Sequence, residues 1–152
     1  MRKVEKAISF YDNRYNCAQS VLAAFAEDYQ LPEDLCLRIA CAFGAGMGRR
    51  QLLCGAVTGA LMVLGLKFGK GSNDDEAKKK ETYKRTVEFF EKFKQRHGSI
   101  LCRELLEGLD LNNPDEYRII EQQNMFQTHC RVYVQSAVTM LEDEFLNKNL
   151  QY

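Results

Sequence analysis

The chain has 152 residues, 45% hydrophobic and 28% charged, which suits one globular domain with a sizeable core. Lysine plus arginine and aspartate plus glutamate both number 21, so the net charge is zero and the basic excess of a nucleic-acid binder is missing. The longest strongly apolar run, 60–66, falls well short of the roughly 20 residues that a membrane span needs. Neither nucleic acid nor a membrane span is expected.

The predicted elements are all helical. Val4, Ala7, Ile8 and Tyr11 share one face of a first helix. Asn13 or Asn16 then caps a second, over 16–29, in which Cys17, Val21, Ala24, Phe25 and Tyr29 recur at helical spacing. Pro32, Glu33 and Asp34 start a third helix with Leu35, Ile39 and Ala42 as its apolar stripe. Leu37 and Phe43 lie alongside, and Cys36 and Cys41 fall off that stripe. Gly44, Gly46 and Gly48 end it, and Arg49 and Arg50 follow.

A central helix is expected over 53–68. Gly55 and Gly59 stand four apart on it, as do Ala56 and Ala60. A glycine inside a helix costs about 1 kcal/mol against alanine, so two of them imply close packing or a site. Residues 74–96 form a charge-rich helix with Tyr83, Val87, Phe90 and Lys94 on one side, widened by Phe89 and Phe93. The lysines at 78–80 belong to a solvated face. Ser99 caps a short helix holding Cys102, and Pro114 opens another. The last helix, 125–147, carries the stripe Phe126, Cys130, Val134, Ala137, Val138, Leu141 and Phe145. No stretch alternates with period two long enough for a strand. The fold class is all-α, a single-domain bundle of about six to eight helices.

The chemistry concentrates in six cysteines. The N-terminus is charged and has no apolar run behind it, so no secretory signal is expected. A cytoplasmic chain keeps its thiols reduced, which leaves core packing, metal binding or redox work for them. Buried cysteine often serves as a small hydrophobe, and Cys17 and Cys130 lie on apolar stripes. Against that, Cys17, Cys54 and Cys102 stand at predicted helix starts, where free amides stabilise a thiolate. Cys54 also follows Arg49 and Arg50, cations that favour a thiolate and attract an anionic substrate. The turn at Gly48 and the bare backbone at Gly55 would let a substrate approach Cys54.

No Cys-x-x-Cys pair is present, and the five-residue step from Cys36 to Cys41 suits neither zinc nor an iron–sulfur cluster. Cys17, Cys54, Cys102 and Cys130 remain as four dispersed ligands for a metal ion or cluster, with His97 and His129 as substitutes. The turn Gly44-x-Gly46-x-Gly48 follows a helix and lacks a Lys-Ser/Thr ending, so it does not make a nucleotide site.

Three stretches carry a family resemblance: Asn16-Cys17-Ala18-Gln19-Ser20-Val21-Leu22, the Gly-x-Gly-Met-Gly turn at 44–48, and Cys54-Gly55-Ala56-Val57-Thr58-Gly59-Ala60. Together they resemble the C_GCAxxG_C_C family of redox-active proteins, described by four recurrent cysteines around a central small-residue motif. The likeness covers nearly the whole chain and implies that the four cysteines are Cys17, Cys54, Cys102 and Cys130, with Cys36 and Cys41 as extras.

The resemblance implies a redox role, and the residues add the expectation of a thiol redox protein in which Cys54, activated by its helix start and by Arg49 or Arg50, attacks and Cys17 resolves, with Cys102 and Cys130 as a second pair or shuttle. Its partner would be a redox protein or a small thiol. A Cys17–Cys54 disulfide would close a loop of roughly 37 residues and stabilise the oxidised form by about 4 kcal/mol. Two other readings stand beside it. The same four cysteines hold a metal or cluster, or the chain is a helical interaction module whose cysteines only fill the core. The small-residue face at Gly55 and Gly59 fits packing within the chain or across a homodimer.

Overall fold

The computed structural model describes residues 1–147 and shows an all-α bundle. Its helices are α1 (Lys3–Asp12), α2 (Cys17–Ala24), α3 (Glu33–Ala40), α4 (Gly55–Phe68), α5 (Glu76–His97), α6 (Cys102–Leu105), α7 (Pro114–Gln122) and α8 (Arg131–Met140). Wider π turns at Phe126–Cys130 and Leu141–Leu146 extend α8 at both ends. No helix among the described residues is long and apolar enough to cross a membrane.

Helix α4 is the axis of the bundle. Its residues from Gly55 to Ala60 are all buried, as are Val63, Leu64 and Phe68. α2 packs along it because Gly55 and Gly59 leave the contact bare. A Cβ at Gly59 would stand 2.9 Å from the Ala18 carbonyl oxygen, and one at Gly55 would stand 3.1 Å from the Ala18 nitrogen and from Cys17 Cβ. The small-residue face is therefore used within the chain, and it draws Cys17 up to the start of α4. α1 packs on α2 and α8, α5 on α4, and α8 against α1, α2 and α4. Phe25, Phe89, Phe93 and Phe145 fill the core between them.

Asn16 caps α2, its side chain accepting from the Gln19 N–H at 2.9 Å while the Gln19 side chain accepts from the Asn16 N–H at 3.0 Å. The second helix stops at Ala24, ahead of the expected end at Tyr29, and a 3₁₀ turn spans Glu27–Tyr29. Asn113 caps α7, with Pro114 in its first turn as the sequence predicts.

Two predicted faces are corrected. On α3, Leu35 and Ile39 are 43% and 50% exposed, whereas Cys36 and Ala40 are fully buried. The face that docks carries Cys36, Leu37 and Ala40, and the small Cys36 and Ala40 let α3 lie close to α2. On α5, Tyr83 and Val87 are exposed, and the core side is carried by Phe89 and Phe93.

Candidate functional site

The four cysteines singled out from the sequence, Cys17, Cys54, Cys102 and Cys130, line one cavity of about 800 Å³, together with Gly55 and Tyr11. All six cysteines are free thiols, and the other two lie elsewhere, Cys36 in the core and Cys41 on the surface. Gly48, Arg49 and Arg50 are not part of the cavity wall.

Cys17 and Cys130 reach the cavity on helices. Cys17 is the first residue of α2, and Cys130 ends the π turn before α8. Packing of α2 and α1 against α8 brings them together across most of the chain. Cys17 and Cys130 lie close enough for the Cys17 thiol to favour charge on the Cys130 sulfur. The Tyr11 hydroxyl, which donates to the Phe126 carbonyl at 2.9 Å, also faces that sulfur. These two donors hold the Cys130 thiol below its ordinary range despite burial, and the same contact and desolvation push Cys17 well above it. Asp12 and Arg131 fix the end of α1 to the start of α8 through two bonds of 2.9 and 3.0 Å.

Cys54 and Cys102 reach it on irregular backbone. Residues Ala45 to Arg49 all have positive φ, a left-handed turn of which only Gly46 and Gly48 are glycines. Left-handed backbone costs roughly 1–2 kcal/mol per non-glycine residue, so this segment needs support. It comes from the 109–112 segment. The Arg49 guanidinium donates to the Leu111 carbonyl at 2.7 Å and stacks on Tyr117, and Asn112 donates to the Arg49 carbonyl. The buried Gln51 amide donates to the Leu109 carbonyl and accepts from the Leu111 N–H, both at 2.8 Å.

The chain leaves this turn in an isolated antiparallel bridge, Leu53 to Leu101. The Cys54 N–H donates to the Ile100 carbonyl at 2.8 Å and the Cys102 N–H to the Leu52 carbonyl at 2.6 Å. Side chains alternate across such a pair, so Cys54 and Cys102 share the face opposite Leu53 and Leu101. A Cβ at Gly46 would stand 2.8 Å from Cys102 Cβ and 2.5 Å from Gln51 Cα, so only glycine fits under the bridge.

This placement sets burial against the expected activation of Cys54. The Ala56 and Val57 N–H groups at the start of α4 favour the thiolate, although the Cys54 side chain does not cap the helix, and burial outweighs them and raises the thiol pKa to about 12. Arg49 is engaged with Leu111 and Tyr117, and neither arginine is among the groups that shift the thiol. Cys102 is likewise raised to about 12 by burial and by Cys54 and Cys130. The thiol favoured as a thiolate is Cys130, and its direct neighbour is Cys17.

Among the described residues, no three His, Cys, Asp or Glu side chains are arranged to hold a metal ion. His97 is bonded to Ser136 at 2.7 Å and His129 to Glu107 at 3.1 Å, away from the cysteines. Tyr11 escaped the sequence reading as a site residue. Its signal was a hydroxyl on the inward face of α1, which needs a partner when buried.

The family described as "Putative redox-active protein (C_GCAxxG_C_C)" matches residues 15–144. The chain belongs to this family. No curated protein and no solved structure matches it. The matched stretch of the family runs from just before Cys17 to beyond Cys130, so all four cavity cysteines fall within it. The family description supports a redox-active protein and names no reaction.

Proposed function

We propose that this protein performs thiol–disulfide exchange at the cavity, with Cys130 as the attacking thiolate and Cys17 as the resolving thiol. The observation that carries this reading is the convergence of Cys17 and Cys130 on one cavity, close enough that Cys17 favours charge on the Cys130 sulfur. The Cys130 thiolate attacks one sulfur of a disulfide substrate. A mixed disulfide forms and the other substrate sulfur leaves as a thiolate. Cys17 gives up its proton, attacks Cys130 Sγ and displaces the second substrate sulfur. Two electrons pass to the substrate, which leaves as two thiols, and the protein keeps a Cys17–Cys130 disulfide. A partner dithiol, on a protein or a small molecule, reverses the cycle in the reducing cytoplasm.

Tyr11 supports the thiolate state, because its hydroxyl can turn from the Phe126 carbonyl to a charged Cys130 sulfur. Cys54 and Cys102 remain protonated and do not compete as nucleophiles. They are also poorly set to bond each other. Diagonal neighbours across an antiparallel pair stand about 7–8 Å apart, at or beyond the usual disulfide span.

Protein purified without air, treated with diamide and mapped by differential alkylation and mass spectrometry should show a Cys17–Cys130 link. It should also show free Cys54 and Cys102. Oxidised protein in which Cys17 and Cys130 are still separately alkylated would overturn the assignment.

A further inference from the structure

The cavity wall carries information about what enters. At about 800 Å³ it lies in the size class of small-molecule sites. Cys54 and Cys102 are buried, and Cys17 and Cys130 are only partly exposed, so the sulfurs lie beneath the protein surface. A disulfide on a folded protein would have to be inserted to reach them. The rest of the wall is largely apolar and aromatic, formed by Tyr15, Leu105, Leu106, Leu111, Tyr117 and Phe126, with Asn16 and Gln127 as its neutral polar members. Its only charged residues are Asp12 and Arg14. Asp12 is matched by the two bonds from Arg131. Arg14 has no ion-pair partner among the described residues and lies exposed at the solvent side.

We infer that the cavity admits a small amphiphile, with an apolar body along the aromatic wall, one anionic group at Arg14 and a disulfide at the Cys17–Cys130 end. The disulfide clause rests on the exchange chemistry proposed above, whereas the apolar body and anionic group rest on the wall alone. A five-membered cyclic disulfide on a short alkyl carboxylate has this chemistry. Cys130 opens the ring by bonding one of its sulfurs, and the other leaves as a thiolate and takes a proton. Cys17 then bonds Cys130 and releases the second ring sulfur, so the ring gains two electrons and leaves as a dithiol. An apolar wall excludes disulfides whose arms carry several charges, because each would be desolvated without a partner.

The wall is tested without any redox step. Reduced protein is labelled at Cys130 with iodoacetamide in the presence of octanoate or octanamide. Octanoate should slow labelling saturably, and octanamide should need about tenfold more for the same protection, the loss of one charged contact. Arg14→Gln should remove the difference between the two, and Arg14→Lys should keep much of it. No protection by octanoate, or equal protection by octanamide in the unaltered protein, would overturn the inference. Lipoate in excess is then compared with hydroxyethyl disulfide, each rate divided by that with a free small thiol. A Cys17–Cys130 link that forms faster with lipoate supports the whole inference. Octanoate protection with no link from lipoate or diamide keeps the amphiphile site and overturns the exchange reading. A link formed equally well by both disulfides, with no octanoate protection, does the reverse.

Discussion

Cys17 and Cys130 stand on helices that pack face to face, whereas Cys54 and Cys102 hang from a left-handed turn and a single bridge. The first pair is placed by the bundle itself, through Gly55 and Gly59 under α2 and through α1 and α2 against α8. The second is placed by hydrogen bonds that Arg49 and Gln51 donate to the segment between α6 and α7, and by one that Asn112 of that segment donates back to the Arg49 carbonyl. The two supports give opposite chemistry. In the helical pair Cys17 favours charge on Cys130, and in the bridge pair burial favours the neutral thiols. On the exchange chemistry proposed above, a cavity with four sulfurs thus has one nucleophile.

That contrast can be broken most directly at Gly46. Gly46→Ala puts a Cβ into Gln51, Leu52 and Cys102 at a φ of 68°. It should cost about 3 kcal/mol in a denaturant titration, by strain and overpacking together. In the surviving folded protein Cys54 and Cys102 should become readily alkylated, while Cys130 labelling changes little. Equal opening of all four thiols would mean that the two pairs share one support.

Alkaline pH separates the bridge thiols from Cys130 next. Cys54 and Cys102 have raised folded pKa values, so their contribution is complete below the unfolded value near 9 and fades as pH rises toward about 12. The chain should lose about 1 kcal/mol per thiol for each pH unit in that window. Urea midpoints taken from pH 8 to pH 10 should fall, and Cys54→Ala should flatten the slope. Cys130 has the opposite sign. Its lowered pKa adds stability above the unfolded value, and that addition is lost as pH falls through the folded pKa.

Tyr11→Phe sharpens the helical side. Removing one donor to the Cys130 thiolate should move its labelling curve to higher pH and slow labelling near neutrality about tenfold. Unchanged labelling would leave Cys17 as the sole donor that matters. The smallest effect is a gain. Gly65 has open space where a Cβ would go, so Gly65→Ala should stabilise the protein by about 0.5–1 kcal/mol, as replacing a helical glycine does. Gly59→Ala, six residues earlier on α4, should do the reverse because its Cβ meets α2 backbone.

The helical half of this comparison was legible in the sequence. Apolar spacing gave α1, α2, α4 and α8, and Asn16 and Pro114 marked real helix starts. α3 misled because it is eight residues long with apolar side chains on both faces, and period alone cannot choose between them. Packing chose Cys36 and Ala40 by size. The bridge half was hidden for a different reason. Ala45, Met47, Arg49 and Gln51 carry no local signal for positive φ, since L-residues rarely adopt it. A one-residue bridge offers no alternation to detect. Arg49 looked like an activator of Cys54 from its place in the chain, yet its guanidinium turns away to Leu111.

The partners Cys17 and Cys130 lie near opposite ends of the sequence. Joining them would close a loop of roughly 110 residues, worth on the order of 5 kcal/mol by chain entropy. A gap of that size corresponds to roughly five-thousandfold fewer globally open molecules. Proteases act on open molecules, so the bond would also set how long the protein survives. The oxidised form would persist while the reduced form was cleared, and the amount of protein in a cell would then follow its redox history.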